Sequence, residues 1–133
     1  MPMLTSDQSF ALAQTFHTLA VEIGNYRFAH FDELSPSQRK RLEDLEFDVL
    51  NDSTKFNGLS IAGGLDELQN TLSQINGVTT QMTTAVQTIQ EVGQVVRIAM
   101  AAVTLGAAIV SSNLGAIAAA VQGTLVAVGG GRA

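Results

Sequence analysis

Between Arg97 and Arg132 the chain runs for thirty-four residues without a charged side chain: IAMAAVTLGAAIVSSNLGAIAAAVQGTLVAVGGG. About 20 apolar residues span the hydrocarbon core of a bilayer, so length alone makes this segment a candidate span. Its internal pattern is more specific. Ala107, Ser111, Gly115, Ala119, Gly123 and Ala127 fall at every fourth position. On a helix they form a ridge of small residues, roughly 30 Å long at 1.5 Å per residue. Such ridges let helix backbones approach closely in lipid.

The run belongs to a longer pattern. From Leu65 to Val128 a 3-4 apolar spacing passes through Leu65, Leu68, Leu72, Ile75, Thr79, Met82, Val86, Ile89, Gly93, Val96, Met100, Val103, Ala107, Val110, Leu114, Ile117, Val121, Thr124 and Val128. Only Thr79 and Thr124 break its apolar character. A spacing of this kind predicts a helix with a packing seam. Unbroken, it would extend for roughly 96 Å. Residues 65–94 carry Gln, Asn, Thr and Ser away from the seam, whereas 95–128 are apolar nearly all round, the mark of a helix buried in protein or lipid. Ser111-Ser112-Asn113 is the one candidate hairpin tip. Neither Gly nor Pro lies in it, and both ridge and seam pass through in register, which favours a continuous helix over a hairpin.

The first half of the chain is different. All six Phe and all twelve acidic residues lie at or before Glu91. Residues 1–91 hold twelve acids and five bases, net −7, while residues 92–133 hold only Arg97 and Arg132, net +2. Thr5-Ser-Asp-Gln8 and Ser35-Pro-Ser-Gln38 are capping boxes, the second with Pro in the first helical turn. They predict amphipathic helices over about 6–32 and from 36 to the Asn51–Thr54 stretch. In the first, Phe10, Ala13, Phe16, Ala20, Ile23, Arg27 and Phe31 lie near one face, widened by Leu12 and Leu19; in the second, Leu42, Leu45, Val49 and Leu50 form an apolar stripe. Phe47 lies off that stripe and needs a partner of its own. Gly63-Gly64 is the clearest break.

The expected fold is therefore all-α: two shorter amphipathic helices, then one long helix (or helical hairpin) with an apolar C-terminal third. Its regions are an acidic amphipathic part (1–62), a polar heptad helix (63–96) and the apolar ridge segment (97–133), which enters a membrane or forms an oligomer core.

Nothing in the sequence asks for catalysis. His17 and His30 stand thirteen apart and do not form a metal pair on one helical turn. No phosphate-binding loop, nucleophile elbow or zinc-helix motif occurs. Cysteine is absent, which removes disulfide and thiolate chemistry. The expectation is a non-enzyme with no cofactor and no metal. A net charge of −5 argues against nucleic acid. Arg39-Lys40-Arg41, the one basic cluster, is followed by Glu43, Asp44 and Glu46 and reads as a solvated face with local ion pairs.

Arg97 and Arg132 are candidate membrane-boundary residues, where a long basic side chain reaches toward headgroups. Thr104, Ser111 and Gln122 recur with Gly115 at 7-4-7 spacing and are candidates for lining a wet lumen in an oligomer. The N-terminal MPMLTSDQSF has neither a basic n-region nor an apolar h-region. The expected location is thus a membrane surface, or export without a classical signal peptide.

In plan, LDELQNTLSQINGVTTQMTTAVQTIQEVGQVVRIAMAAVTLGAAIV and the residues beyond it to Val128 resemble the α-helical pore-forming toxins of the cytolysin A type. Those join long Gln/Thr-rich helices to an Ala/Gly-rich apolar segment that leaves a soluble bundle to insert. The resemblance implies an oligomeric pore with the lipid bilayer and further copies of the chain as partners. At 133 residues the chain is shorter than those toxins, so many copies or a second protein component would be needed. Two other functions fit the same residues. One is a structural or secretion-related assembly protein, a filament or helical oligomer that buries the apolar helix between subunits. The other is a small holin-like membrane protein. The absence of Trp and Tyr near the run favours the assembly reading over a belted span.

Overall fold

The computed structural model describes residues 5–56, 65–88, 91–111 and 113–129. Gly63-Gly64, Ser112 and Arg132 lie outside the described residues. Among these residues the chain is helical, without strands: α1 Ser6–Ala29, a 3-10 turn Phe31–Glu33, α2 Pro36–Thr54, α3 Leu65–Thr88, α4 Val92–Ser111 and α5 Leu114–Gly129. The all-α expectation is met. Where one long helix or a helical hairpin is expected, three helices are described, α3, α4 and α5, and the break between the last two falls at Asn113, in the candidate hairpin tip.

Both capping boxes form. Thr5 and Ser35 accept from the backbone N–H of Gln8 and Gln38, and each Gln side chain accepts from its cap residue's N–H. Two of the four orphan donors at each helix start are thereby satisfied. The first helix stops at Ala29, three residues before the expected end, and continues as the 3-10 turn. Its buried face is also rotated from the expected one. Leu12, Phe16, Leu19, Ala20, Ile23 and Tyr26 are buried, whereas Phe10 and Phe31 are exposed.

The break between α4 and α5 needs no Gly or Pro because Asn113 caps α5. Its Oδ1 accepts from Ala116 N at 3.1 Å, and its own N–H donates to Ser111 Oγ at 3.3 Å. At the start of α4 the Glu91 carbonyl accepts from the N–H groups of Gln94 and Val95.

The five described helices close into a ring. α1 packs on α2 and α3, α2 on α4, α4 on α5, and α5 on α3, with a lighter contact of α3 on α4. One core fills it, with Phe16 set edge-on against Phe56 at 5.1 Å. The seam read from the sequence holds on α3, where Ile75, Thr79, Met82 and Val86 are buried, and on α5, where Ile117, Val121 and Thr124 are buried. On α4 it fails. The buried set is Gln94, Val95, Ile98, Ala99, Ala102, Leu105, Gly106 and Ile109, centred one residue before the expected positions, which corresponds to about 100° of helix rotation. Expected seam residues Met100 and Ala107 point outward.

Two glycines set the helix spacing around α2. At Gly24 of α1 a Cβ would stand 2.9 Å from Glu46 Oε2, so its absence lets Glu46 reach Arg27. Arg27 Nη2 then donates to Glu46 Oε1 at 3.1 Å, and Arg27 Nη1 lies 3.7 Å from Glu43. At Gly106 of α4 a Cβ would collide with the Asp52 side chain. Gly106→Ala is therefore expected to destabilise the fold by about 1–3 kcal/mol, the usual range for overpacking. Adding Asp52→Ala should restore only part of that stability, because it removes the carboxyl but leaves the Asp52 Cβ 2.8 Å from the added one. Chemical denaturation of the single and double variants measures both effects.

Candidate functional site

The apolar third of the chain is the antiparallel hairpin α4–α5. No charged residue occurs in it after Arg97. α4 has 20 residues and a mean hydropathy of 1.7, long and apolar enough to cross a membrane, and half of that window is buried against the rest of the bundle. At 1.5 Å per residue it extends for about 30 Å and the 16-residue α5 for about 24 Å. Buried core helices pass the same test of length and composition.

Three hydroxyls in the hairpin are satisfied by their own helices. Thr104 donates to Met100 O, Ser111 to Ala108 O and Thr124 to Ala120 O, at 2.6–3.0 Å. A hydroxyl bonded in this way carries no unmet donor into an apolar medium, so the burial cost of a free hydroxyl is avoided.

The small-residue ridge is bent at Asn113 into two parts. Ala107 and Ser111 sit on α4, and Gly115, Ala119, Gly123 and Ala127 on α5. All are exposed except Ala127, which is half-buried. The ridge thus makes little contact inside the protomer, and a Cβ added at Gly123 would meet open space. Ala119 and Gly123 line a shallow groove of about 400 Å³ between the two helices, together with Ala101, Thr104, Ala108, Ala116, Ala120 and Thr124.

The three candidate lumen residues are not brought together. Thr104 lines that groove, Ser111 is at the tip, and Gln122 turns toward α3, where it shares a second groove with Gln74, Gly77, Gln81 and Leu125. Arg97 is exposed but is the sixth residue of α4 rather than its first.

α4 rests on α2, and an open cleft runs along the outer rim of that contact. Arg41, Asp44, Leu45 and Asp48 face Met100, Val103 and Thr104 across a cleft of about 290 Å³, with Arg41 Nη2 at 3.2 Å from Met100 Sδ. One turn beyond, Asp52 is 9% exposed against Gly106, and its Oδ2 has no hydrogen-bond partner. Burial pushes its carboxyl above the usual carboxylate range; Lys55 opposes the shift and Asp48 adds to it. In the sequence Asp52 reads as part of a helix end, with no role of its own. Its signal is the lone Gly106 in the middle of an apolar helix, meaningful only once α2 and α4 are paired.

The two histidines lie apart from the hairpin. His17 is exposed on α1. His30 stacks on Tyr26 at 4.1 Å, with Nδ1 3.0 Å from Tyr26 O. Lys40 pairs with Asp44 at 3.2 Å, and Arg39 lies over the Phe31 ring at 4.0 Å. Comparison of the chain with protein-family models, curated proteins and solved structures returns no match.

A carboxylate whose folded pKa is raised opposes folding once ionised. The penalty is absent well below the ordinary carboxylate range, grows as pH rises toward the folded value and is complete above it. Asp52→Asn should therefore stabilise the protein near neutrality, with an advantage over wild type that shrinks toward about pH 3. Thermal melts of both proteins across that range measure it.

Proposed function

We propose that the protein is a membrane-inserting, self-associating helical protein, in which α1, α2 and α3 keep the α4–α5 hairpin soluble and the hairpin enters lipid to build an oligomeric pore. The observation that carries this reading is the hairpin itself: two consecutive helices without a charge after Arg97, docked as a unit on a more polar three-helix support. The length of α4, about 30 Å, matches the hydrocarbon core. The hydroxyls bonded back to their own helices lower the cost of entering it.

Release is favoured by the quality of the α2–α4 contact. It contains an unpartnered carboxylate, a glycine with no side chain to bury and an open cleft. Once inserted, α4 and α5 would present the small-residue positions to neighbouring copies, and packing through them would replace the packing on α2 and α3. Arg97 would then stay at the headgroup level. In this plan the chain acts as the cytolysin A-type toxins do, with other copies or a second component completing the wall.

One observation favours the assembly reading. α5 extends for about 24 Å, short of a full span, as suits a helix covered by protein instead of lipid.

Dye-loaded vesicles distinguish the two. The protein added from aqueous buffer is expected to release dye. Ala107→Asp, at an exposed position where the soluble fold tolerates it, should reduce release by about tenfold or more, because a carboxylate within the hydrocarbon region costs ~2 kcal/mol or above. Intact vesicles beside a soluble polymer would sink the membrane reading and support the assembly one.

A further inference from the structure

The bundle carries a second exposed surface with projecting aromatic side chains, on α1, across the ring from the hairpin. Phe10, His17, Val21 and Phe28 follow a 7-4-7 spacing along α1 and all four are exposed. Phe10 is 70% and Phe28 67% accessible, the Phe28 ring lying under the Arg27 guanidinium at 4.7 Å. The stripe covers eighteen residue steps, about 27 Å. In the ring of helices, α1 meets α2 and α3 while α4 and α5 close the far side. The projecting phenyl rings and the small-residue groove between α4 and α5 therefore face in opposite directions.

We infer that the α4–α5 groove receives the outer face of α1 from a second copy of the chain, giving a head-to-tail assembly of the soluble protein. Shape favours this pairing over like with like. Bulky side chains fill a groove floored by Ala119, Ala120 and Gly123, whereas two such grooves face to face leave voids. On α5 the groove runs from Ala116 to Thr124, about 12 Å, which admits the Phe10–His17 part of the stripe, about 10 Å long.

Charge selects the same partner. The region from α1 through the 3-10 turn holds Asp7, Glu22, Asp32 and Glu33 against Arg27, which is already paired with Glu46. The hairpin's one charged residue is Arg97, exposed on the line of α4 that continues to Ala101, Thr104 and Ala108. Hairpin against α1 brings opposite charges together; α1 against α1 brings acids together. A contact between two different faces of one chain repeats, and it closes into a ring or grows as a filament according to the angle between copies. This inference rests on the self-association part of the proposed function and not on insertion.

Sedimentation velocity of the full chain in buffer without lipid tests it. Wild type should gain mass with concentration above the 14.0 kDa of one chain. One variant removes the projections (Phe10→Ser with Phe28→Ser), the other fills the groove (Ala119→Glu with Gly123→Leu). Each alone should remain a monomer. Mixed in equal amounts they should form a species of two chains and nothing larger, because each retains the face the other lacks. Circular dichroism establishes that both variants fold. If either pair does not, Phe10→Ser and Gly123→Leu alone carry the test, since both positions are open in the monomer. A wild type monomeric at every concentration would overturn the inference. So would either variant associating like wild type, or a mixture that stays monomeric. Dye release by a protein that is monomeric in buffer would remove this interface while leaving insertion intact.

Discussion

The structure depends on how one helix with no polar face chooses which side to bury. α4 is apolar nearly all round, so the hydrophobic effect, which follows area and not direction, gains about as much from one face as from another. The choice is made by close packing. Gly106 and Ala102 let the backbone of α4 approach α2, while Ile98, Leu105 and Ile109 fill the space beside them. The result is a helix buried on one side and exposed on the other, with Met100 and Ala107 facing out. An apolar helix half covered by its own chain is suited to exchanging that cover for another, whether lipid or a neighbouring subunit.

The support for α4 is built differently. α1 and α2 are held by two capping boxes, the Arg27–Glu46 pair and the Phe16–Phe56 contact. These are directional interactions, and they fix the hairpin of α1 and α2 in one geometry. The α2–α4 contact has few of them. Its one buried charged group, Asp52, is a cost to the docked state whenever it is ionised. The directional contacts are thus gathered on α1 and α2, while the apolar hairpin meets the support mainly through apolar packing.

Where the sequence carries a directional signal, the fold is legible. Thr5, Gln8, Ser35 and Gln38 announce both helix starts, and the alternation of Ile75, Thr79, Met82 and Val86 with Gln and Thr announces the buried face of α3. Where every position is apolar, spacing does not tell one face from another, and the expected α4 seam lies about 100° away from the buried one. The break at Asn113 is hidden from a reading that looks for Gly or Pro, because a capping Asn ends one helix and begins the next without either. The ridge from Ala107 to Ala127 is legible as a set of small residues but not as two arms of a hairpin. The Asp52–Gly106 contact is hidden altogether, since it joins positions fifty-four apart and depends on tertiary pairing of α2 with α4.

The proposed insertion requires the α4–α5 hairpin to leave its support and enter lipid. The chain has no cysteine, so one placed at Thr104, exposed near the middle of α4, can carry a polarity-sensitive fluorophore as the sole label. On addition of vesicles the emission should shift to the blue and be quenched by a quencher fixed on the acyl chains. Unchanged emission with no quenching, while the protein remains folded in solution, would contradict the account.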